Sequence, residues 1–149
     1  MSTSQQFCTF FLEGSLFGVP VPQVQEVIRF HQMTAVPLAP DVVEGMINLR
    51  GQIVVAIDLR RRLALPVRGE EELPVNVVVR TTDGAVSLLV DEIGDVIEVE
   101  QSSFEVPPET LRGSVRAMIL GVHKLDGKLL HVLDTEKACQ IRTAEPAVS

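Results

Sequence analysis

The sequence predicts a mostly β protein made of two small barrels packed together. Three observations carry that prediction: short aliphatic runs bounded by Gly, Pro and Asp, one internal repeat, and no helical stretch long enough to cross between parallel strands. The repeat is direct. Residues 45–58 lie over 121–134 without a gap and share the frame G-x-x-x-L-x-G-x-Φ-Φ-x-Φ-Φ-D, with Φ aliphatic. A fainter match lays 19–28 over 88–97, so the order of the two matches is the same in both halves.

The elements follow in order. Residues 7–12 and 16–21, on either side of Glu13-Gly14-Ser15, read as an opening hairpin. A short helix-like stretch comes next, with Val24, Val27 and Ile28 on one face and Pro22 near its start. Residues 35–40 are a Pro-rich loop. The repeated frame reads as a β-hairpin running into a helix. Arg50-Gly51 in one copy and Asp126-Gly127 in the other suit a two-residue turn whose central residues take φ > 0. Asp58 and Asp134 each end a strand ahead of a helical segment, with Leu59 and Leu63 at helical spacing in the first, so each carboxylate is expected to cap the first turn. Residues 65–74, with Glu70-Glu71-Glu72, read as a solvated connector. Residues 75–80 and 85–90 form a hairpin about Asp83-Gly84. Residues 96–99 and 114–123 are further strands with Pro107-Pro108 between them, and 141–149 is a loose tail. One domain is expected over 7–140. Its first barrel spans about 13–70 and its second about 74–140, with the strand 7–12 available to complete the second.

Composition narrows the function. A chain of 149 residues buries roughly 68–70% of the surface its unfolded form exposes. With 46% hydrophobic residues it can build a core without metal or disulfide. Six Phe and no Trp or Tyr leave that core to Val and Leu. Thirteen basic against 20 acidic residues give a net charge of −7. That charge and a pI near 4.9 argue against a nucleic-acid partner, which calls for phosphate-neutralising cations and stacking rings. No apolar run approaches the ~20 residues of a membrane span, and residues 1–6 lack the basic start of a secretion signal. A cytoplasmic protein is expected, without membrane insertion. Cys8 and Cys139 belong to no C-x-x-C pair and read as two reduced thiols.

A search for chemistry finds neither a nucleophile with its base nor a phosphate loop, and no catalytic residue, cofactor or metal is expected. A hairpin turning at Asp126-Gly127 sets His123 opposite Leu130 and His131 opposite Val122, so the two histidines face opposite ways and cannot share a metal. His31 falls in a loop and is expected to be solvated. The carboxylates Asp91, Glu92, Asp95, Glu98 and Glu100 nearly alternate with Val90, Ile93, Val96, Ile97 and Val99, which reads as the wet side of strands. Arg60-Arg61-Arg62 reads as the solvated face of a short helix. Glu26 beside Val24, Val27 and Ile28, and Arg50 at a turn, stand out as charges next to aliphatic surface. They suit a binding surface and an internal ion pair equally well.

Phe17-Gly18-Val19-Pro20-Val21, Val24-Gln25-Glu26-Val27-Ile28, the Ile47-Asn48-Leu49-Arg50-Gly51-Gln52-Ile53-Val54 stretch, Ile57-Asp58-Leu59-Arg60 and residues 121–134 together resemble the CheW family of chemotaxis coupling proteins. The resemblance runs from Phe7 to Cys139. It implies two SH3-like five-stranded barrels with short helices, and a non-catalytic adaptor between chemoreceptor cytoplasmic tips and the regulatory domain of a CheA-type histidine kinase. Val24, Glu26 and Arg50, with Val27 and Ile28 beside them, fall where the family couples receptors, and Ile93 and Val96 where it uses further apolar contacts. The groove between the barrels is expected to take the receptor tip as an amphipathic helix. Two departures stand out: Val55-Ala56 where many members have Pro then Val, and His131 where an aliphatic is usual, expected to be an edge or surface histidine. No receiver or ATP-binding region fits in the length, so a stand-alone coupling domain is expected. An adaptor of a pilus, gliding or second-messenger pathway is the competing circuit. A β-barrel ligand-binding protein or enzyme using the carboxylates of 91–100 is the competing class.

Overall fold

The computed structural model describes residues 3–29, 31–69 and 71–141, so 142–149 of the expected tail lie outside it. The first half contributes β1 (Ser4–Leu12), β2 (Ser15–Pro20), β3 (Val24–Ile28), β4 (Val43–Leu49), β5 (Gln52–Asp58) and α1 (Leu59–Arg62). The second contributes β6 (Val75–Thr81), β7 (Gly84–Val90), β8 (Glu92–Glu100), β9 (Phe104–Glu105), α2 (Gly113–Met118), β10 (Ile119–Leu125), β11 (Lys128–Leu133) and α3 (Thr135–Ala138). One sheet runs β3-β6-β7-β5-β4 and the other β8-β1-β2-β11-β10-β9.

The protein is mostly β with short helices, as expected, but the sheets do not divide the chain near residue 70. The β1–β2 hairpin of the first half is built into the sheet of the second, and β6–β7 of the second into the sheet of the first. The reason lies in their composition. Phe7-Cys8-Thr9-Phe10 and Val77-Val78-Val79 are buried as continuous runs, so these hairpins need cover on both faces and take central places. Parallel pairs then close each sheet, β5 on β7 and β11 on β2.

The internal repeat survives in the pairing register. Phe7 opposes Pro20 and Ile97, and its counterpart Asn76 opposes Leu89 and Ile28. His131 opposes Phe17 as Val55 opposes Val86. Asp58 N donates to Val42 O at 2.8 Å, as Asp134 N does to Met118 O at 2.8 Å. The first glycine of the repeated frame has a steric cause. A Cβ on Gly45 would lie 2.8 Å from Thr34 O, and one on Gly121 would lie 2.5 Å from Glu105 O, at the points where Thr34 bridges Met46 and β9 pairs β10. The second glycine belongs to a turn. Arg50 (φ 53°) and Gly51 (φ 91°) are both left-handed, whereas in the other copy only Gly127 (φ 79°) is.

Two expected elements change type. Residues 24–28 form a strand instead of a helix, because β-branched Val24, Val27 and Ile28 favour the pleat and β6 offers an edge, while Pro22 sits in a 3-10 turn, Val21–Gln23. Residues 113–118 are helical instead of extended. Sheet pairing of this stretch begins only at Ile119, and ahead of it Gly113 (φ 66°) turns the chain. The main core lies between the sheets, where Phe10, Phe17, Ile57, Leu59, Leu63, Leu88 and Leu133 are fully or almost fully buried.

Replacing Gly51 by Val forces a β-branched residue into the left-handed region and is expected to cost about 1–3 kcal/mol. A thermal melt that does not move would contradict the turn assigned to Arg50-Gly51.

Candidate functional site

The strand β3 forms one edge of its sheet and carries Val24, Glu26, Val27 and Ile28. The β4–β5 turn brings Arg50 to it from 24 residues away, and Arg50 Nη2 donates to Glu26 Oε2. The pair forms, and it forms at the surface: the Arg50 side chain is 72% exposed and that of Glu26 23%. The Arg50 hydrogen bond holds the Glu26 carboxyl below its ordinary range, and the same bond raises the Arg50 guanidinium. A surface pair of this kind adds little stability, so what it supplies is a fixed charge pattern at the edge. Val27 opposes Val77 of the main core but is 40% exposed at the rim of the sheet, whereas Ile28 packs on the cluster of Ile47, Leu49, Val54 and Val78, and Val24 on the main core. Arg80 ties the start of the edge down by donating to Pro22 O (3.2 Å) and Val24 O (3.0 Å).

Ile93 and Val96 lie on β8, the edge of the other sheet, 41% and 59% exposed. Under the repeat they are the counterparts of Val24 and Val27: Val96 opposes Cys8 as Val27 opposes Val77. The two groups of predicted residues therefore sit at equivalent edges of different sheets. Glu92, Asp95, Glu98 and Glu100 are exposed between the β8 aliphatics, with Ser4 donating to Glu98. They alternate along an edge and do not converge as an acid/base site would. Among the described residues no group of three or more His, Cys, Asp or Glu could hold a metal ion.

A groove of about 600 Å³ opens on the sheet that carries the first edge, over β5, β7 and the β6–β7 turn. Ile53, Val55, Ala85 and Val86 form one wall and Glu136, Cys139, Gln140 and Ile141 the other. Glu136 closes one end by accepting from Thr82 N and Thr82 Oγ1, each at 3.1 Å. Burial, then Glu136, pushes the Cys139 thiol up to about 12, which keeps it uncharged. Sequence reading missed these residues because the walls come from three distant segments, although Ile53 and Val55 share one face of β5 by simple alternation. The counterpart groove, about 260 Å³ and lined by Leu12, Phe17, Leu65 and His131, is partly filled by Leu111 and Val115.

Several residues read as solvated are not. Arg60 is buried and grips Asp91 with two hydrogen bonds, Nε to Oδ1 at 2.8 Å and Nη2 to Oδ2 at 2.6 Å. Arg68 of the connector enters the same cluster, donating to Asp91 Oδ1 (3.1 Å) and Asp58 Oδ1 (3.4 Å), while its Nη2 lies 3.0 Å from Asp91 Oδ1 without the alignment of a hydrogen bond. Asp58 also caps α1 through Arg60 N, as expected, and Asp134 caps α3 through Lys137 N. Arg62 donates to Ala138 O and Gln140 O. The cause is position. At the passage between the sheets the helix and connector cross β7, so their cations can stay there only against Asp58 and Asp91 or against free carbonyls. The loop residue His31 is half-buried. His123 and His131 do face opposite ways, in the expected register. His131 is nevertheless buried, with its Nδ1 2.8 Å from Leu16 O and its ring stacked on Phe17, because it takes the place of Val55 beneath the filled groove. His123 lies between Phe7 and Phe104, and burial lowers its pKa.

Asp91 is pushed up by burial, but Arg60, Glu13 N and Arg68 outweigh this and hold it below its ordinary range. A lowered folded value means that its contribution is complete above the unfolded carboxylate pKa of about 3.9 and fades as pH falls through the folded value. Asp91→Asn is expected to cost about 3 kcal/mol at pH 7, with the difference from the parent shrinking below about pH 4. Urea melts at both pH values check this, and equal stabilities at pH 7 would refute the role of the cluster.

Comparison with known proteins agrees with this geometry. The chain is 32% identical to chemotaxis protein CheW of Treponema pallidum, covering 89% of this chain and 80% of that one. It is 29% identical to chemotaxis protein CheW of Bacillus subtilis over 99% of this chain and 95% of that one. The crystal structure of the scaffolding protein TtCheW from Thermoanaerobacter tengcongensis superposes with a TM-score of 0.84 at 27% identity, covering 99% of this chain and 100% of the other. The CheW-like domain family matches residues 6–142, and this chain belongs to that family of chemotaxis scaffold proteins.

Proposed function

We propose that the chain acts in the cytoplasm as a non-catalytic adaptor, coupling the cytoplasmic tips of membrane-bound chemoreceptors to the regulatory domain of a CheA-type histidine kinase. The observation that carries this reading is the pair of equivalent sheet edges, each with exposed aliphatic side chains, together with an open groove on the sheet that carries the first edge. Such edges accept a partner by apolar contact with charge fixing the orientation. At the first edge the Arg50–Glu26 pair supplies that charge, and at the second the carboxylates of β8 do. The counterpart of the open groove supports a helical occupant. It holds two aliphatic side chains delivered by a segment that runs into a short helix, the chemistry a helical receptor tip would present. Weak contacts of this kind gain strength when many copies are arrayed beneath a membrane.

In a calorimetric titration against the kinase regulatory domain from the same genome, Val96→Asp is expected to weaken binding roughly tenfold or more, since it sets a charge in the centre of an apolar contact. Unchanged affinity would remove β8 from the interface. Arg50→Ala is expected to weaken capture of a receptor-tip fragment while leaving the melting temperature in place. Wild-type capture by a folded mutant would take Arg50 off the site.

A further inference from the structure

We propose that residues 107–117 are a displaceable strap that occupies, within the same chain, a second docking groove for a short helical segment. The argument extends the reading of the open groove as a helix site, and it begins with the repeat. From Thr34 to β4 the first half uses the eight residues 35–42, whereas from Glu105 to β10 the second uses the thirteen residues 106–118. The register resumes at the same point in both, with the Val42 and Met118 carbonyls each accepting from the aspartate that caps the following helix. The additional chain is therefore an insertion, and it lies over a groove. Leu12, Phe17, Leu65 and His131 line that groove, and their counterparts under the repeat, Thr81, Val86, Ile141 and Val55, all line the open one.

The strap is held lightly. α2 contains no fully buried residue and no side chain caps its start. Its polar bonds are mostly its own: Arg116 Nη1 donates to Pro108 O (2.6 Å) and Leu111 O (3.3 Å), and Leu111 N to Pro108 O (3.0 Å). Leu111 and Val115, both half-buried, enter the groove, and Lys137 Nζ donates to Ala117 O at 3.4 Å. Lifting the segment uncovers apolar surface at Leu12, Phe17 and Leu65 without breaking a sheet pair, which places it at the low-stability end of the structure.

The test replaces residues 106–118 with a copy of 35–42, the connection that the first half already uses, and titrates the folded chimera with a synthetic peptide of residues 106–118. The His131 ring, which lines the groove, reports binding by NMR. Saturable one-to-one binding that shifts His131 in the chimera, with no such shift in the wild type, is expected. A folded chimera that ignores the peptide overturns the proposal, as does a wild type that responds equally. In the full chain, Leu111→Asp with Val115→Asp is expected to speed amide exchange across 107–117 while β10 and β11 keep their protection. If both changes strip protection from the sheets, the segment is core and the proposal fails. A receptor tip that does not bind the wild type would overturn the reading of the open groove and leave the peptide result standing.

Discussion

The pairing of β1 with β8 and of β3 with β6 crosses between the two halves of the chain, so neither sheet is complete without a hairpin from the other half. Each half places its apolar hairpin in the centre of the opposite sheet, and the core between the sheets forms only when both have been exchanged. Two polar clasps hold the exchange, one at each end. On one side α1 reaches the β1–β2 turn through Arg60 and Asp91, whose Oδ2 accepts from Glu13 N at 2.8 Å. On the other α3 reaches the β6–β7 turn directly, Glu136 accepting from Thr82. Arg60 and Glu136 occupy the same position in the repeat with opposite charge, so one geometric task is performed by two different chemistries.

That divergence gives a duplicated fold two unlike faces. The edge at β3 has Arg50 paired with Glu26, and the edge at β8 has exposed carboxylates around Ile93 and Val96. The sheet of the first edge carries an open groove, while the counterpart of that groove is partly filled from within the chain. Symmetry supplies two aliphatic edges at matched positions, and the substitutions around them give each edge its own charge pattern.

Much of this was legible in the sequence. The frame over residues 45–58 and 121–134 located both hairpins, both capping aspartates and the opposed histidines, because turn chemistry and strand alternation are local. Val24, Glu26, Arg50, Ile93 and Val96 were found through motif resemblance; four of them lie on the edge strands β3 and β8, and Arg50 reaches the first from the β4–β5 turn. What failed was non-local. Val24, Val27 and Ile28 fit a helical face as well as a strand until β6 is known to lie alongside. Arg60 looked like a solvated cation until Asp91, 31 residues away, arrived beside it. The hairpin exchange itself left no trace in either half read alone, since a central strand and an edge strand of a duplicated unit can look the same. The groove at Ile53 was invisible for the same reason.

The proposed coupling requires two docking faces on one chain that work together. It is tested most directly by mixing the protein with both a receptor-tip fragment and the kinase regulatory domain and measuring the mass of the complex by light scattering. Because the two sheets are clasped together and their edges lie on different sheets, a ternary complex containing all three components is the predicted result. Mutually exclusive binding, with one partner displacing the other, would show that the two edges serve a single site and would contradict the account.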